Sequence, residues 1–446
     1  MVMTPPRPQA PRAGSATAVR PASPPAPHVP RSTLLRLIAG VWARIEDRDQ
    51  RSGNSSYYLI LGSTIALTAV GLLMVLSSSA VEAIAEEGSS YALFLKQGMF
   101  GVAGLALMFI LSRLPVRTIK LLAWPAVGVA VLLLIAIFTP LGYEVNGNRS
   151  WLRLGGLTAQ PSEAAKFALC LWMPLILARK GPLLRQVRHA LIPVLPVAGM
   201  IIVLVVLQHD LGTSLLLTLI VIATLFFAGV PKRLFLVAGV LAAAGAVVMA
   251  LGSGNRMCRI TGWLGDGQCV GINDQANAGL GALASGGWWG LGLGQSRQKW
   301  FYIPEAHNDF IFSIIGEELG LVGTIVVLCL FGILAIAILR VIMRHTDPFV
   351  RITSGAILTW ILGQAFVNIA MVTGLLPVIG VPLPFISYGG SSLLVVLCGI
   401  GVVLSFARAR PTPRRGTGGA SRVSLLTGRD GRFEPDLAGP SGRGRG

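Results

Sequence analysis

Asp309 stands where the longest polar loop of this chain gives way to an apolar run, WFYIPEAHNDFIFSIIGEELGLVG, residues 300–323. A carboxylate at the start of a helix is stabilised by the helix dipole, so Asp309, like its neighbour Asn308, could simply cap the helix. The sharper reading is a general base at the membrane face, taking a proton from an incoming nucleophile. Two turns further in, Glu317 and Glu318 are adjacent acids inside the same run. Charges at that depth are costly, and at least one of the two needs a polar partner.

Glu163 and Lys166 open another apolar run, QPSEAAKFALCLW. A spacing of three puts both on one helical face, close enough to pair. Either they form a structural ion pair that fixes helix packing, or they line a cavity and orient a substrate. A third group is basic: Arg149, Arg153, Arg256, Arg259, Arg297 and Lys299. Arg and Lys in such a cluster suit a phosphate-bearing ligand; contact with lipid headgroups is the alternative for any one of them. Cys258 and Cys269 flank a ten-residue segment and could close it as a disulfide or remain free thiols; mass analysis with and without reductant separates the two. Cys170, Cys329 and Cys398 lie in apolar runs and read as packing residues. There is no P-loop, GxSxG, HExxH or Cys/His zinc pattern.

The elements that must hold these residues are set by solvent. Hydrophobic residues make up 53% of the 446 and charged residues only 13%, about half the charged share of a soluble domain. Apolar runs recur near 57–77, 94–111, 119–138, 162–179, 190–207, 212–229, 233–251, 309–340, 350–374 and 390–407. Each is near the length that crosses roughly 30 Å of hydrocarbon. The fold class expected is therefore an all-α integral membrane protein of about ten transmembrane helices with one large extracytoplasmic loop, 252–308.

The net charge of +18 belongs to loops and tails beside the apolar runs, so it reads as topology and not as nucleic-acid binding. Arg113, Arg117 and Lys120; Arg179, Lys180, Arg185 and Arg188; Lys232 and Arg233; and Arg340, Arg344 and Arg351 mark one side, the cytoplasm, and place both termini there. Glu82, Glu86 and Glu87 and the uncharged turn at 375–390 mark the other. Residues 1–55 read as a disordered basic tail, 56–408 as the membrane domain, and 409–446 as a second disordered tail. Within the first tail, TLLRLIAGVWARI either lies on the membrane surface or is a linker. The loop 252–308 carries SGGWWGLGLGQ, whose Gly and Trp content argues for an ordered, membrane-hugging structure.

Four stretches resemble the SEDS family of peptidoglycan glycosyltransferases: NGNRSWLRLGGLTAQPSEAAK at 146–166, QHDLGTSLLL at 208–217 (with His209 where the family usually has proline), PEAHNDFIFSIIGEELGLVG at 304–323 and GLLPVIGVPLPFISYGGSS at 374–392. The resemblance covers roughly residues 57–407 in the family's order. It implies polymerisation of lipid II, the undecaprenyl-pyrophosphate-linked disaccharide-pentapeptide, with Asp309 as the essential acid. The Glu–Lys pair of its PSEAAK motif falls on Glu163 and Lys166; with them, Arg149, Trp151, Arg153, Arg297, Lys299 and Ser387 are the candidate substrate-binding residues. It also implies a class B penicillin-binding protein as partner, together with other division proteins and membrane lipid. The N-terminal extension and the Asn before Asp309 favour the division type at the septum over the elongation type.

The residues agree with that chemistry. Pyrophosphate is a good leaving group that needs charge stabilisation more than protonation, and external Arg and Lys can supply it. A sugar hydroxyl needs a general base, so one carboxylate suffices for an inverting transfer, unlike hydrolysis by a pair. No cofactor is certain; whether a divalent cation (Mg or Mn) assists stays open, because the sequence supplies no dedicated cage. The rivals are a lipid II flippase, which needs polar groups along a whole path and commonly an inverted repeat, and a non-catalytic scaffold, in which Asp309 is replaceable.

Overall fold

The computed structural model describes residues 55–409, apart from 88–90, 146–147, 155–156, 187, 189–190, 232, 252–253, 264–271 and 297–306. A helix occupies each of the ten apolar runs. They are α1 (Ser55–Glu87), α2 (Ala92–Arg113), α3 (Val116–Ala136), α4 (Pro161–Lys180), α5 (Val194–Leu207), α6 (Leu211–Phe227), α7 (Arg233–Leu251), α10 (Ile311–Arg344), α11 (Pro348–Val372) and α12 (Gly390–Arg408). Two more, α8 (Gly254–Trp263) and α9 (Ile272–Ser285), form inside the large loop. Among the described residues, α1 as far as Ser78, α2, α3, α4, α10, α11 and α12 are each long and apolar enough to cross a membrane, while α5 and α6 are apolar but shorter.

Helices are what these runs must form, because hydrocarbon offers no partner to an open backbone group. Many hydroxyls inside them bond back to the preceding turn, as Thr68 does to Thr64 O at 2.9 Å and Thr224 to Ile220 O at 2.6 Å, which satisfies the hydroxyl without water. Helix starts are marked locally. Pro161 and Pro348 occupy first turns, where their missing N–H costs nothing. Asp210 caps α6 by accepting from Thr213 N at 2.9 Å, and Asp347 caps α11 through Phe349 N at 2.9 Å.

One end of the bundle carries a small sheet that the apolar pattern gave no hint of. Strands β1 (Gly142–Val145), β2 (Asn148–Leu154) and β3 (Leu157–Ala159) run as an antiparallel meander, with Tyr143 opposite Trp151 and Arg153 opposite Thr158. The connection 374–389, from α11 to α12, does not stay on the surface at this sheet end. It folds back as a strap whose Val381, Leu383, Phe385 and Ile386 are buried. It lies so close to α1 that a Cβ at Gly71 would sit 2.3 Å from Phe385 O. Small residues do the same between α2 and α12, where a Cβ at Gly401 would meet Met108 O at 2.7 Å. Close backbone approach is how membrane helices gain packing without a hydrophobic driving force.

The helix α10 is broken at Gly320, where φ is 67° and ψ −165°. The break frees backbone groups, and residues 286–296 of the large loop satisfy them. Leu291 N donates to Glu317 O (2.9 Å), Gly292 N to Glu318 O (3.0 Å), and Leu321 N to Gly287 O (2.9 Å). The SGGWWGLGLGQ stretch is thus ordered, and its glycines are required by contact: a Cβ at Gly290, itself at φ +78°, would fall 2.2 Å from Glu318 O.

Candidate active site

Asp309 is half-buried in the turn that leads into α10. The N-terminal residue of α10 is Ile311, with Phe310 at the cap position and no side-chain capping bond there. Three segments converge on Asp309. Behind it on α11, Asn368 donates through one nitrogen to Asp309 O and to Val381 O, 2.7 Å each. Across from it, the strap passes at Gly380, where φ is +78° and a Cβ would lie 3.5 Å from Asp309 Oδ2. Two residues upstream, His307 packs edge-on against Tyr388 at 5.3 Å between ring centres and accepts a bond from Tyr388 N at 2.9 Å.

Glu163 and Lys166 are 1% exposed each. Lys166 Nζ lies 2.9 Å from Glu163 Oε1 and donates to Gln364 Oε1 at 3.0 Å. The same Gln364 oxygen accepts from Trp360 Nε1 (3.1 Å), and Gln364 Nε2 donates to Pro382 O at 2.9 Å. The pair is therefore joined to the strap by one amide, one residue from the carbonyl that Asn368 holds. Gln364 and Asn368, at i and i+4, share a helical face. Among the described residues, Glu163 Oε2 has no hydrogen-bond partner.

Ser387, also in the strap, is 5% exposed; its hydroxyl accepts from Leu383 N at 2.7 Å and closes that turn. Gln97 of α2 pins the next residues by donating to Ser387 O (3.2 Å) and accepting from Gly389 N (3.1 Å). Arg149, Trp151 and Arg153 alternate along β2 and so face one side of the sheet. Arg149 donates to Thr139 O at 2.8 Å, and the Arg153 guanidinium stacks over the Tyr143 ring at 4.0 Å. The sheet abuts the strap end: Gln160 N, just after β3, donates to Ser391 Oγ at 3.2 Å, and Gln160 Nε2 donates to Asp210 Oδ2 at 3.1 Å. Arg297 and Lys299 lie outside the described residues, as does Cys269; Arg256 and Arg259 fall within α8. Cys258 is disulfide-bonded, while Cys170, Cys329 and Cys398 are free.

Glu317 and Glu318, 1% exposed each, do have polar partners. Ser77 Oγ donates to the Glu318 carboxylate at 2.6 and 2.7 Å, and Ser296 Oγ donates to Glu317 Oε2. They fasten the 286–296 segment to α1 and α10. Among the described residues, no group of three or more His, Cys, Asp or Glu side chains is placed to hold a metal ion.

Sequence reasoning passed over Asn368, Gln364 and Gln97. The signal was available: a primary amide within an apolar span is costly unless bonded. What no pattern in the chain discloses is which distant carbonyl each amide reaches.

Residues 57–411 match the cell cycle protein family of FtsW, RodA and SpoVE. The probable peptidoglycan glycosyltransferase FtsW of Mycobacterium tuberculosis is 39% identical over 361 residues, 80% of this chain and 68% of that protein. That of Geobacter sp. strain M18 is 36% identical over 354 residues, 78% of this chain and 95% of that protein. Stage V sporulation protein E of Bacillus subtilis is 34% identical over 352 residues, 78% and 96% of the two chains. Among solved structures, a chain of a peptidoglycan synthase complex that coordinates polymerization and crosslinking superposes with a TM-score of 0.65 at 29% identity, over 78% of this chain and 96% of its own. The rod shape determining protein RodA of Thermus thermophilus superposes with a TM-score of 0.58 at 29% identity, over 79% and 96%. Sequence and architecture agree over the same region, and the chain belongs to the FtsW, RodA and SpoVE family, the SEDS family of multi-pass membrane proteins.

Proposed function

We propose that this chain is a peptidoglycan glycosyltransferase that polymerises lipid II into glycan strands at the outer face of the cytoplasmic membrane during cell division. The observation that carries the reading is the placement of Asp309: a half-buried carboxylate in the turn before α10, beside the Gly380 backbone of the strap and backed by the buried amide of Asn368. Asp309 takes the proton of the acceptor sugar hydroxyl. The oxygen forms its bond to the donor anomeric carbon as the bond to pyrophosphate breaks, which inverts that centre in one displacement. The positive charge of Arg149, Arg153, Arg297 and Lys299 stabilises the leaving pyrophosphate, where cations count most once water is excluded. A Cys258–Cys269 disulfide closes the segment between α8 and α9.

In this orientation the sheet, the strap and residues 252–308 are extracytoplasmic and both termini cytoplasmic, in keeping with the Lys/Arg bias of the opposite loops. The tails 1–55 and 409–446 flank the membrane domain. A class B penicillin-binding protein crosslinks the emerging strand at the septum beside other division proteins.

The test is lipid II polymerisation by the purified chain with its transpeptidase partner, native against Asp309→Ala. A general base contributes about 10²- to 10⁴-fold, so strands form with the native chain and the variant loses at least the lower of these factors while remaining folded. Equal rates would remove Asp309 from the chemistry and favour a scaffold. No polymer from either, with lipid II transport in vesicles, would favour a flippase.

A further inference from the structure

We propose that Asn368 is a positioning residue for the transfer reaction: it fixes the Asp309 carboxylate by tying the residue that bears it to the strap that walls it. The inference rests on Asp309 being the base, and concerns what sets its geometry.

Asn368 is fully buried, and both of its contacts run to backbone carbonyls, Asp309 O and Val381 O, at 2.7 Å. A carbonyl only accepts, so the side-chain atom between them must be the NH2 group, with its two hydrogens aimed at the two oxygens. This fixes which way the amide faces on chemical grounds. It also means that one rigid planar group on α11 sets the separation of two segments 72 residues apart in the chain, 309 and 381.

Those two segments are the ones that define the carboxylate. One carbonyl belongs to Asp309 itself. The other belongs to the residue after Gly380, whose Cα faces Asp309 Oδ2 closely enough that an added Cβ would stand 3.5 Å away. One turn earlier on the same face, Gln364 holds Pro382 O at 2.9 Å. The wall at 380–382 is thus gripped by two consecutive amides of α11, and only the second also grips Asp309.

Few substitutes fit. An ionised Asp at 368 has acceptors where two donors are needed, and would face two carbonyl oxygens. Gln has the donors but an extra methylene in a close-packed site. Ala withdraws the amide donor from both carbonyls, freeing the Asp309 turn to drift from the strap. A displacement on the order of 1 Å at a reacting group can cost about 100-fold in rate. The loss belongs in kcat, because lipid II binding is not made by this buried amide.

The full chain with its transpeptidase partner decides this, using lipid II titrations of the native protein, Asn368→Ala and Asp309→Ala, with thermal unfolding of each. Asn368→Ala is expected to lower kcat by on the order of 100-fold while KM stays within about threefold and the protein remains folded. A kcat near the native value would overturn the proposal, and so would a loss confined to KM. If Asn368→Ala does not fold, Gly380→Ala takes its place. At φ +78° that methyl is strained and lands against the carboxylate, so the same kcat-only loss supports the proposal, and native kinetics or a KM-only change overturns it. The two readings fail separately. A fully active Asp309→Ala removes the base and this inference with it. An inactive Asp309→Ala beside an active, folded Asn368→Ala removes the positioning role alone.

Discussion

Lys166→Met removes the cation of an ion pair whose two side chains are 1% and 2% exposed. The variant leaves the Glu163 carboxylate buried with neither oxygen bonded, since Oε2 already has no hydrogen-bond partner among the described residues. It also withdraws the donor from Gln364 Oε1, though that oxygen keeps Trp360 Nε1 at 3.1 Å. Breaking one side of a buried pair costs about 3–5 kcal/mol, whereas replacing both charges by neutral groups of similar size is often close to neutral. Lys166→Met should therefore lower the unfolding free energy by about 3–5 kcal/mol, and Lys166→Met with Glu163→Gln should recover most of that. Thermal unfolding in lipid nanodiscs reads stability, and lipid II titration reads function. Exchanging the charges, Glu163→Lys with Lys166→Glu, tests the same point if the reversed pair can form. The reasoning is refuted if the single variant is as stable as the native chain, or if the double variant is no better than the single. A double variant of native stability that raises KM for lipid II would instead put the pair in contact with substrate and require the site to open around it.

Two further outcomes follow from local geometry. Gly290→Ala must move a methyl away from Glu318 O, 2.2 Å off, at φ +78°; such positions cost of order 1–3 kcal/mol before any clash is counted. It should unseat the 286–296 segment, read as protease cleavage there and a lower unfolding temperature; full resistance would mean the segment is not held by the helix break. At the opposite end, burial pushes the His345 imidazole below its ordinary 6.5, against the opposing pull of a Phe406 backbone bond and Asp347, with Arg344 adding to the depression. The folded state then binds this proton less well than the unfolded state, so the contribution is fully present above about pH 6.5 and is lost as pH falls below it. Unfolding temperatures from pH 5 to 8 should show this fall in the native chain and a flatter profile in His345→Asn; identical profiles would discard it.

The membrane spans were legible because their cause is local. A run without charge must close its own hydrogen bonds in hydrocarbon, and that needs no knowledge of neighbours. The Glu163–Lys166 pair was legible for the same reason, since a spacing of three fixes the face before any packing occurs. The start of α10 was placed near Asp309, but which residue takes the cap position, Phe310 in the folded chain, was left open by the residues alone.

Tertiary structure settled what depends on distant segments. The strap 374–389 reads as an uncharged turn; only its burial against α1 and α11 makes it the wall of Asp309. Gln364 and Asn368 read as two amides in an apolar helix, and their partners, Lys166 and Asp309, lie 198 and 59 residues away. The break in α10 depends on a loop that enters to satisfy it. The sequence by itself determined which segments enter the membrane and which residues pair within a turn, because those follow from solvent and helix periodicity. The folded chain alone decided which carbonyl each buried amide holds and where the Asp309 carboxylate points, because a buried polar group takes the partner that packing leaves it.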